Sequence, residues 1–442
     1  MYRQQQLKEL LTGRHILIAG YGREGKSTHA LLQTLTSPQL VTVASNDQEI
    51  YTCLQQAADA RRPYDLIIKS PGIPTFKFEG RCNLNTITSQ TDLFLQVYGD
   101  QTLAVTGTKG KSTTASLLWH ILNHTYGKTR KVILAGNIGI PLFDIADQLD
   151  PDTLVVAEFS CHQLENIHRS AHIGIILNLY QEHLDHYHNY LDYQMAKMQL
   201  MLRQQSGDHC LYCTDSPDLT QRVDQLRPQL STTLHPFNLD MARQIGLNQV
   251  PSHLQGDHNL SNILATRLAA ELCGVSPQQF AQALNTFHGL PHRLELVGTY
   301  SGITFYNDSI STIPQATIAA VEALKEVDTL ILGGFDRGID YTSLQQYFIS
   351  PTPAGANIHN IVFVGEAGRR IYNGINHQSP NTLQNMNAVL LSDNYTQIVD
   401  WCYSHTRPGK ICLLSPAAAS YDSFKNFEER GHTFINLVRS HS

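Results

Sequence analysis

The residues best suited to chemistry in this chain lie in glycine-rich runs that follow apolar stretches. Residues 106–113 read Thr-Gly-Thr-Lys-Gly-Lys-Ser-Thr, after the apolar run 102–105 and before a stretch with Leu118, Ile121 and Leu122 at helical spacing. A turn of this kind between a strand and a helix converges several backbone N–H groups on one point at the positive end of the helix, which suits a phosphate. Gly107, Thr108, Lys109, Gly110, Lys111, Ser112 and Thr113 are therefore the candidate ATP-binding residues. Lys111 would reach the β- and γ-phosphates, and the hydroxyl of Ser112 or Thr113 would ligate Mg²⁺. A plain strand–helix turn has no packing use for a Lys-Ser-Thr run.

A second run, residues 20–27, reads Gly-Tyr-Gly-Arg-Glu-Gly-Lys-Ser and fits two patterns at once. It is a G-x-G-x-x-G fingerprint after the strand-like run 15–19, and formally also a G-x-x-x-x-G-K-S phosphate loop. We set the triphosphate reading aside, because nothing downstream of this run looks like a magnesium ligand or a catalytic carboxylate. Polar residues about 20 positions on suit ribose or base recognition, and Ser45, Asn46 and Asp47 stand there. A UDP-type diphosphate is expected at Gly20, Gly22 and Gly25. Ser70 and Gly72, at the end of the strand-like run 65–69, are expected on the same substrate. A ligand-free structural turn, or true ATP or NAD binding here, are the alternatives.

Glu158 ends the apolar run 153–157. In a parallel sheet that end faces the ligand crevice, and a carboxylate there makes a good Mg²⁺ ligand. Residues 178–187 follow the next strand-like run, and histidines occur at 183, 186 and 188. Their spacing alone would suggest zinc, but no cysteine lies nearby and a magnesium–nucleotide loop is already present. His183 is expected to be a second-metal ligand or proton acceptor, and His186 and His188 are expected on the surface. Lys197 falls in the middle of a helix spanning about 189–203, where a lysine is normally solvated.

The rest of the chain must position these groups. Its 442 residues, 42% hydrophobic and 16% charged, have ordinary globular composition. A net charge of −6 argues against a nucleic-acid partner, which asks for a basic face. The N-terminal residues 1–13 lack an apolar signal core, and no apolar run is long enough to span a membrane. Eight scattered cysteines fit a reducing cytoplasm. Cys210 and Cys213 form a lone C-x-x-C pair, read as two half-buried thiols on a strand rather than a zinc site. Strand-like runs alternate with amphipathic stretches throughout, which predicts an α/β protein with parallel sheets and crossover helices. Three blocks are expected, 1–95, 96–289 and 290–442; the family resemblance carried by the segments below implies that they are a Rossmann-like UDP-precursor domain, a central P-loop-type ATP domain and a Rossmann-like amino-acid domain.

Segments spread along nearly the whole chain carry a resemblance: TGTKGKST, GNIG at 136–139, AEFSCHQLE, NLYQEHLDHY, YQMAK, GDHNLSNILAT, GLPHR, NDS, GGFDRG and LLSPAAASYDSFKNFEERG, in that order. Together they resemble the Mur ligase family, and within it the branch that adds glutamate to UDP-N-acetylmuramoyl-L-alanine. The resemblance implies ATP-dependent ligation through an acyl phosphate in cytoplasmic peptidoglycan precursor synthesis, by a monomer using two Mg²⁺ ions, with D-glutamate as the added amino acid. It implies that Lys111 and Ser112 take the phosphates and, with Glu158, the first Mg²⁺, and that His183 holds the second. Lys197 matches a lysine that the family carbamylates. Asn137 would contact the muramoyl–alanine substrate, and Asn259 and Asn262 the adenine side. Arg293 and Asp308 would close over ATP, and Ser420 and Phe427, with Thr312 nearby, would line the incoming amino acid. The chain departs from the family pattern at Lys109, where an asparagine is usual, and at residues 310–313. It also departs at Arg337, where some members carry a lysine for the glutamate side chain; a bidentate guanidinium preserves anion recognition there. The changes near 310 leave the glutamate enantiomer open. Rival readings are a sister ligase adding L-glutamate or another amino acid, an NAD-dependent dehydrogenase, and a non-catalytic UDP-sugar-binding protein.

Overall fold

The computed structural model describes residues 2–34, 40–182, 186–254 and 256–441. Three sheets are found among them. The first contains β1 (His15–Ala19), β2 (Leu40–Ala44), β3 (Leu66–Lys69) and β4 (Ile87–Thr88), all parallel, in the order β2-β1-β3-β4. The second contains β5 (Thr102–Thr106), β6 (Val132–Gly136), β7 (Leu154–Glu158), β8 (Ile173–Ile176), β9 (His209–Cys213) and β10 (Thr233–Phe237). These are also parallel, in the order β10-β9-β8-β5-β7-β6. The third contains β11 (Glu295–Tyr300), β12 (Ile303–Asn307), β13 (Val327–Gly333), β14 (Asn360–Val364), β15 (Ala388–Leu391) and β16 (Ile411–Leu414). Its order is β11-β12-β16-β13-β14-β15, and β11 pairs antiparallel with β12 while the other pairs are parallel.

Strands buried on both faces explain the continuous apolar runs. All five residues of β5 are buried, as are all five of β7 and all seven of β13. Topology also decides where ligands can enter. After β1 the chain places β2 on one side and β3 on the other, and β5 is flanked by β7 and β8 in the same way. Such reversals of strand order open a crevice at the C-terminal strand ends. The glycine-rich runs 20–27 and 106–113 each leave the strand at that point.

The chain divides into two compact units, Met1–Phe287 and His288–Ser442. The first and second sheets share the first unit, and one apolar cluster containing Ile18, Phe94, Ala104 and Val155 runs through both. Two local expectations need correction. The sequence places the start of a helix at Ser27 after the Gly20 turn, but the helix begins at Arg23 and runs to Thr34, with Gly25 at its close approach to that turn. A Cβ on Gly25 would lie 2.1 Å from the Gly20 carbonyl oxygen. Cys210 and Cys213 are fully buried in β9 rather than half-buried.

Candidate active site

The loop after β5 is held open by its own glycines and by side chains from three other segments. Gly107 and Gly110 adopt φ of 147° and 87°, and the helix Lys111–Tyr126 starts directly after. A Cβ on Gly110 would sit 2.5 Å from Oδ1 of Asn262, so glycine is required on steric as well as conformational grounds. The N–H groups of Thr108 and Lys109 both donate to Oδ1 of Asn178, at 3.0 and 2.8 Å. The Thr108 hydroxyl lies 2.7 Å from the Tyr193 hydroxyl, and Lys197 Nζ donates to the Gly107 carbonyl at 2.9 Å. The first half of the loop is thus tied down. The N–H groups of the helix's first turn have no partner inside the helix and remain for an anion. Lys111 folds its Nζ back onto the Thr108 carbonyl at 2.9 Å. Burial lowers its pKa, while the carboxylates of Glu158 and Glu182 pull it back up. Lys109 pairs with Glu182.

Glu158 closes β7 next to β5 and is only 1% exposed. Its Oε1 accepts from Asn137 Nδ2 at 2.7 Å, and its Oε2 is buried with no hydrogen-bond partner among the described residues. A buried carboxylate oxygen without a donor is costly unless a cation meets it. With the Ser112 and Thr113 hydroxyls beginning the adjacent helix, the available donors are hard oxygens, which fit Mg²⁺. Among the described residues no group of three or more His, Cys, Asp or Glu is arranged to hold a metal by itself. Phosphate oxygens and water would have to complete the shell.

Lys197 overturns the expectation of a solvated mid-helix lysine: it is 2% exposed on the helix Tyr190–Leu202. Burial drives its ammonium down to about 8. The expected His183 lies outside the described residues. His186 is not on the surface: it is 7% exposed and packs against the His162 ring, with centroids 3.9 Å apart and the planes tilted by 34°. Its Nε2 is buried without a hydrogen-bond partner among the described residues and lies 3.8 Å from the Glu165 carboxylate. His188 is exposed, as expected.

A cavity of about 170 Å³ adjoins the loop, lined by Lys109, Gly110, Asn178, Asp215, His258 and Asn262. Asn262 is buried on the helix Asp257–Leu272 and its Nδ2 lies 3.4 Å from Oδ1 of Asn259. Asn262, one of the two asparagines expected on the adenine side, therefore lines this opening, and Asn259 contacts it from the same helix.

At the first sheet, Gly20 and Gly25 are close-packed: a Cβ on Gly20 would meet Ser70 at 2.7 Å, and the Ser70 hydroxyl donates to the Gly20 carbonyl at 2.9 Å. Gly22 and Gly72 face open space. Lys26 is exposed, and the Ser27 hydroxyl is buried and donates to Asp144 Oδ1 at 2.6 Å. The hydroxyl of Ser27 is thus committed to Asp144, where a triphosphate loop would leave it for the ligand. Ser45, Asn46 and Asp47 follow β2, but Asn46 caps the helix Asp47–Asp59 by accepting from the Glu49 N–H at 3.0 Å. The Ser45 N–H donates to Glu49 Oε2 at 2.7 Å, and Asp47 pairs with Lys77 at 2.5 Å.

In the second unit, Asp308 follows β12 and is buried, accepting from the Ser415 hydroxyl at 2.7 Å and the Leu294 N–H at 3.1 Å. Burial pushes its pKa up to about 6. Arg293 is exposed. Arg337 Nη2 donates to the Thr312 carbonyl at 3.2 Å, which brings these two together. The Ser309 hydroxyl donates to the Phe427 carbonyl at 2.8 Å, and Ser420 is buried. Arg430 went unnoticed in the sequence. Its buried guanidinium donates to Ser309 Oγ and O and to the Ala418 and Ala419 carbonyls, joining the turn after Asp308 to the segment before Ser420. Asn178, Tyr193 and Gln163 were likewise missed, although each lies in or beside a segment that carried the resemblance.

Residues 105–270 match the profile of the Mur ligase middle domain. The protein is 31% identical to the UDP-N-acetylmuramoylalanine–D-glutamate ligase of Oenococcus oeni over 97% of both chains. The ligase of the same name from Solibacter usitatus is 32% identical over 85% of this chain and 84% of its own. The solved structure of MurF from Acinetobacter baumannii matches 98% of each chain with a TM-score of 0.58 at 14% identity, a likeness of fold alone. The middle-domain match falls on the sheet that carries the 106–113 loop and Glu158, and the identity above 30% extends over nearly the full length: the chain belongs to the Mur ligase family.

Proposed function

We propose that the protein joins D-glutamate to the carboxylate of UDP-N-acetylmuramoyl-L-alanine with cleavage of ATP to ADP and phosphate, as part of peptidoglycan precursor synthesis. The observation that carries this reading is the buried, half-satisfied carboxylate of Glu158 beside a Lys111-bearing phosphate loop. The names of the near-full-length relatives support the choice of substrates.

A carboxylate is a poor electrophile because its leaving group is poor. Phosphorylation by ATP turns one oxygen into a good leaving group. Glutamate's neutral amine then attacks the acyl phosphate, and the tetrahedral intermediate releases phosphate. The N–H groups at the start of the helix Lys111–Tyr126 and the Lys111 ammonium stabilise charge on the transferring phosphoryl group. Mg²⁺, when bound, adds charge neutralisation at the same oxygens. Glu158 with Ser112 or Thr113 would hold one ion; His183 and a carbamylated Lys197 would hold a second. His183 or the substrate phosphate would accept the amine's proton. Asn259 and Asn262 would contact the base, and Arg293 and Asp308 would complete the nucleotide site.

In the same reading the first sheet takes the UDP end through the Gly20 turn, Ser70, Gly72 and the 45–47 segment, and Asn137 meets the muramoyl–alanine arm. Arg337, Thr312, Ser420 and Phe427 would hold glutamate. Because Asn46 is committed to a helix cap, its backbone rather than its carboxamide is the group left for the uridine. No described helix is long and apolar enough to cross a membrane, and we assign the enzyme to the cytoplasm as a monomer. The test is ATP-dependent product formation from UDP-N-acetylmuramoyl-L-alanine with each glutamate enantiomer separately. Turnover with D-glutamate is expected. Turnover with L-glutamate alone, or with neither, would refute the assignment.

A further inference from the structure

The reaction above makes no use of Arg23, an exposed cation in the first turn of the helix Arg23–Thr34. Its Nη2 donates to the carbonyl oxygens of Gly136 and Asn137, both at 3.3 Å. Those carbonyls belong to the last residue of β6 and the first of the turn after it, a segment bound tightly to Glu158. A Cβ on Gly136 would lie 2.5 Å from the Glu158 carbonyl oxygen. The Asn137 N–H donates to that carbonyl at 2.9 Å, and the Asn137 Nδ2 donates to Glu158 Oε1 at 2.7 Å. A short chain of contacts therefore runs from the Gly20 turn through Arg23 and Asn137 to one oxygen of the carboxylate, leaving the other oxygen without a donor.

The other side of the same helical turn is anchored as well. Glu24 Oε1 accepts from Gln163 Nε2 at 2.7 Å, and Gln163 Oε1 accepts from the Ser160 N–H at 3.0 Å, two residues beyond Glu158. With Glu24 fixed, the backbone that carries Arg23 has a defined position relative to both segments bordering Glu158. A guanidinium carries five N–H donors in a planar fork, and these contacts use one nitrogen. The remaining donors can meet an anion on the Gly20 turn while Nη2 keeps the carbonyls.

We propose that Arg23 is a positioning residue that couples a diphosphate on the Gly20 turn to the metal-binding geometry of Glu158. The inference rests on the reading of that turn as the UDP end and of Glu158 as a metal ligand. An anion on the turn fixes the guanidinium, the guanidinium fixes the 136–137 turn, and Asn137 then holds Oε1 so that Oε2 faces the cation. Partners behind a metal ligand tune affinity in this way, and coupling between two sites is reciprocal.

The test measures Mn²⁺ binding to the ADP-loaded protein from the electron paramagnetic resonance signal of free Mn²⁺, with and without UDP-N-acetylglucosamine. This UDP-sugar lacks the reactive carboxylate and so cannot itself reach the metal through it. In the wild type the UDP-sugar is expected to tighten Mn²⁺ binding by about fivefold. Arg23→Ala should abolish that difference at an unchanged melting temperature, and Arg23→Lys should keep part of it. Equal coupling in the wild type and Arg23→Ala, or no coupling in the wild type, would overturn the inference. If the ADP-loaded wild type binds Mn²⁺ no better than Glu158→Gln, the metal reading of the site falls and this inference with it.

Discussion

Lys197 offers a prediction whose size follows from its surroundings. An ordinary lysine amine titrates near 10.5, and burial brings this one down to about 8. At pH 7 the neutral fraction is then about one in ten, against about one in three thousand for an exposed lysine, a gain of about 300-fold. The neutral amine is the form that attacks CO₂, giving a carbamate and releasing one proton. The product would be an anion beside the Gly107 carbonyl, which now accepts from Nζ at 2.9 Å. That anion needs a cation, and a second Mg²⁺ would supply it. The assay is ¹³C NMR of the protein in ¹³C-bicarbonate, read as a function of pH and repeated on Lys197→Ala. A carbamate signal should appear in the wild type and grow as pH rises through about 8, and the variant should lack it. Turnover should fall about tenfold or more in CO₂-free buffer and return on adding bicarbonate. Identical spectra for the two proteins, with turnover indifferent to CO₂, would refute the reasoning.

Further predictions concern the nucleotide loop and Asp308. Lys111→Ala should lose turnover by on the order of a hundredfold or more while circular dichroism and melting remain those of the wild type; near-normal ligation would remove the loop from the mechanism. Gly110→Ala places a Cβ 2.5 Å from Asn262 Oδ1 at a φ of 87°. About 1–2 kcal/mol of backbone strain, plus displacement of Asn262, should raise KM for ATP at least tenfold, and an unchanged KM would contradict the packing argument. Asp308 has its pKa raised from 3.8 to about 6. Between those values the folded chain holds a proton that the unfolded chain has lost, so stability falls as pH rises through that window. The loss amounts to up to about 3 kcal/mol at neutral pH. Asp308→Asn should therefore melt higher than the wild type at pH 7.5 but not at pH 3.5, while turnover drops. A lower melting temperature at pH 7.5 would show that the carboxylate is stabilising.

Much of the architecture was legible because parallel strands are buried on both faces and so read as unbroken apolar runs. β1, β5, β7 and β14 stand where runs of this kind occur in the sequence. The two glycine turns were legible for a related reason, since a run that must leave a strand and enter a helix within a few residues needs glycine. The burial of Lys197 was not legible. Its helix, Tyr190–Leu202, is apolar on more than one face, and what draws the ammonium inward is a carbonyl 90 residues earlier. His186 is a similar case, because its partner His162 stands 24 positions away and no local pattern announces a ring contact. The early start of the helix at Arg23 was hidden by the G-K-S triplet. That triplet imitates the mouth of a phosphate loop, whereas here it lies inside the helix with Ser27 bonded to Asp144. Arg430 escaped notice because an arginine on an amphipathic terminal helix is ordinarily solvated; its four acceptors come from segments that meet only in the folded chain.

The central claim is that a nucleotide held by residues 106–113 passes its terminal phosphoryl group to a carboxylic acid. Single-turnover reaction of UDP-N-acetylmuramoyl-L-alanine carrying ¹⁸O in both carboxylate oxygens tests it directly, with mass analysis of the phosphate released. One ¹⁸O atom per phosphate is predicted, since the oxygen that receives the phosphoryl group leaves with it. Phosphate free of label, or peptide product formed without ATP, would contradict the account.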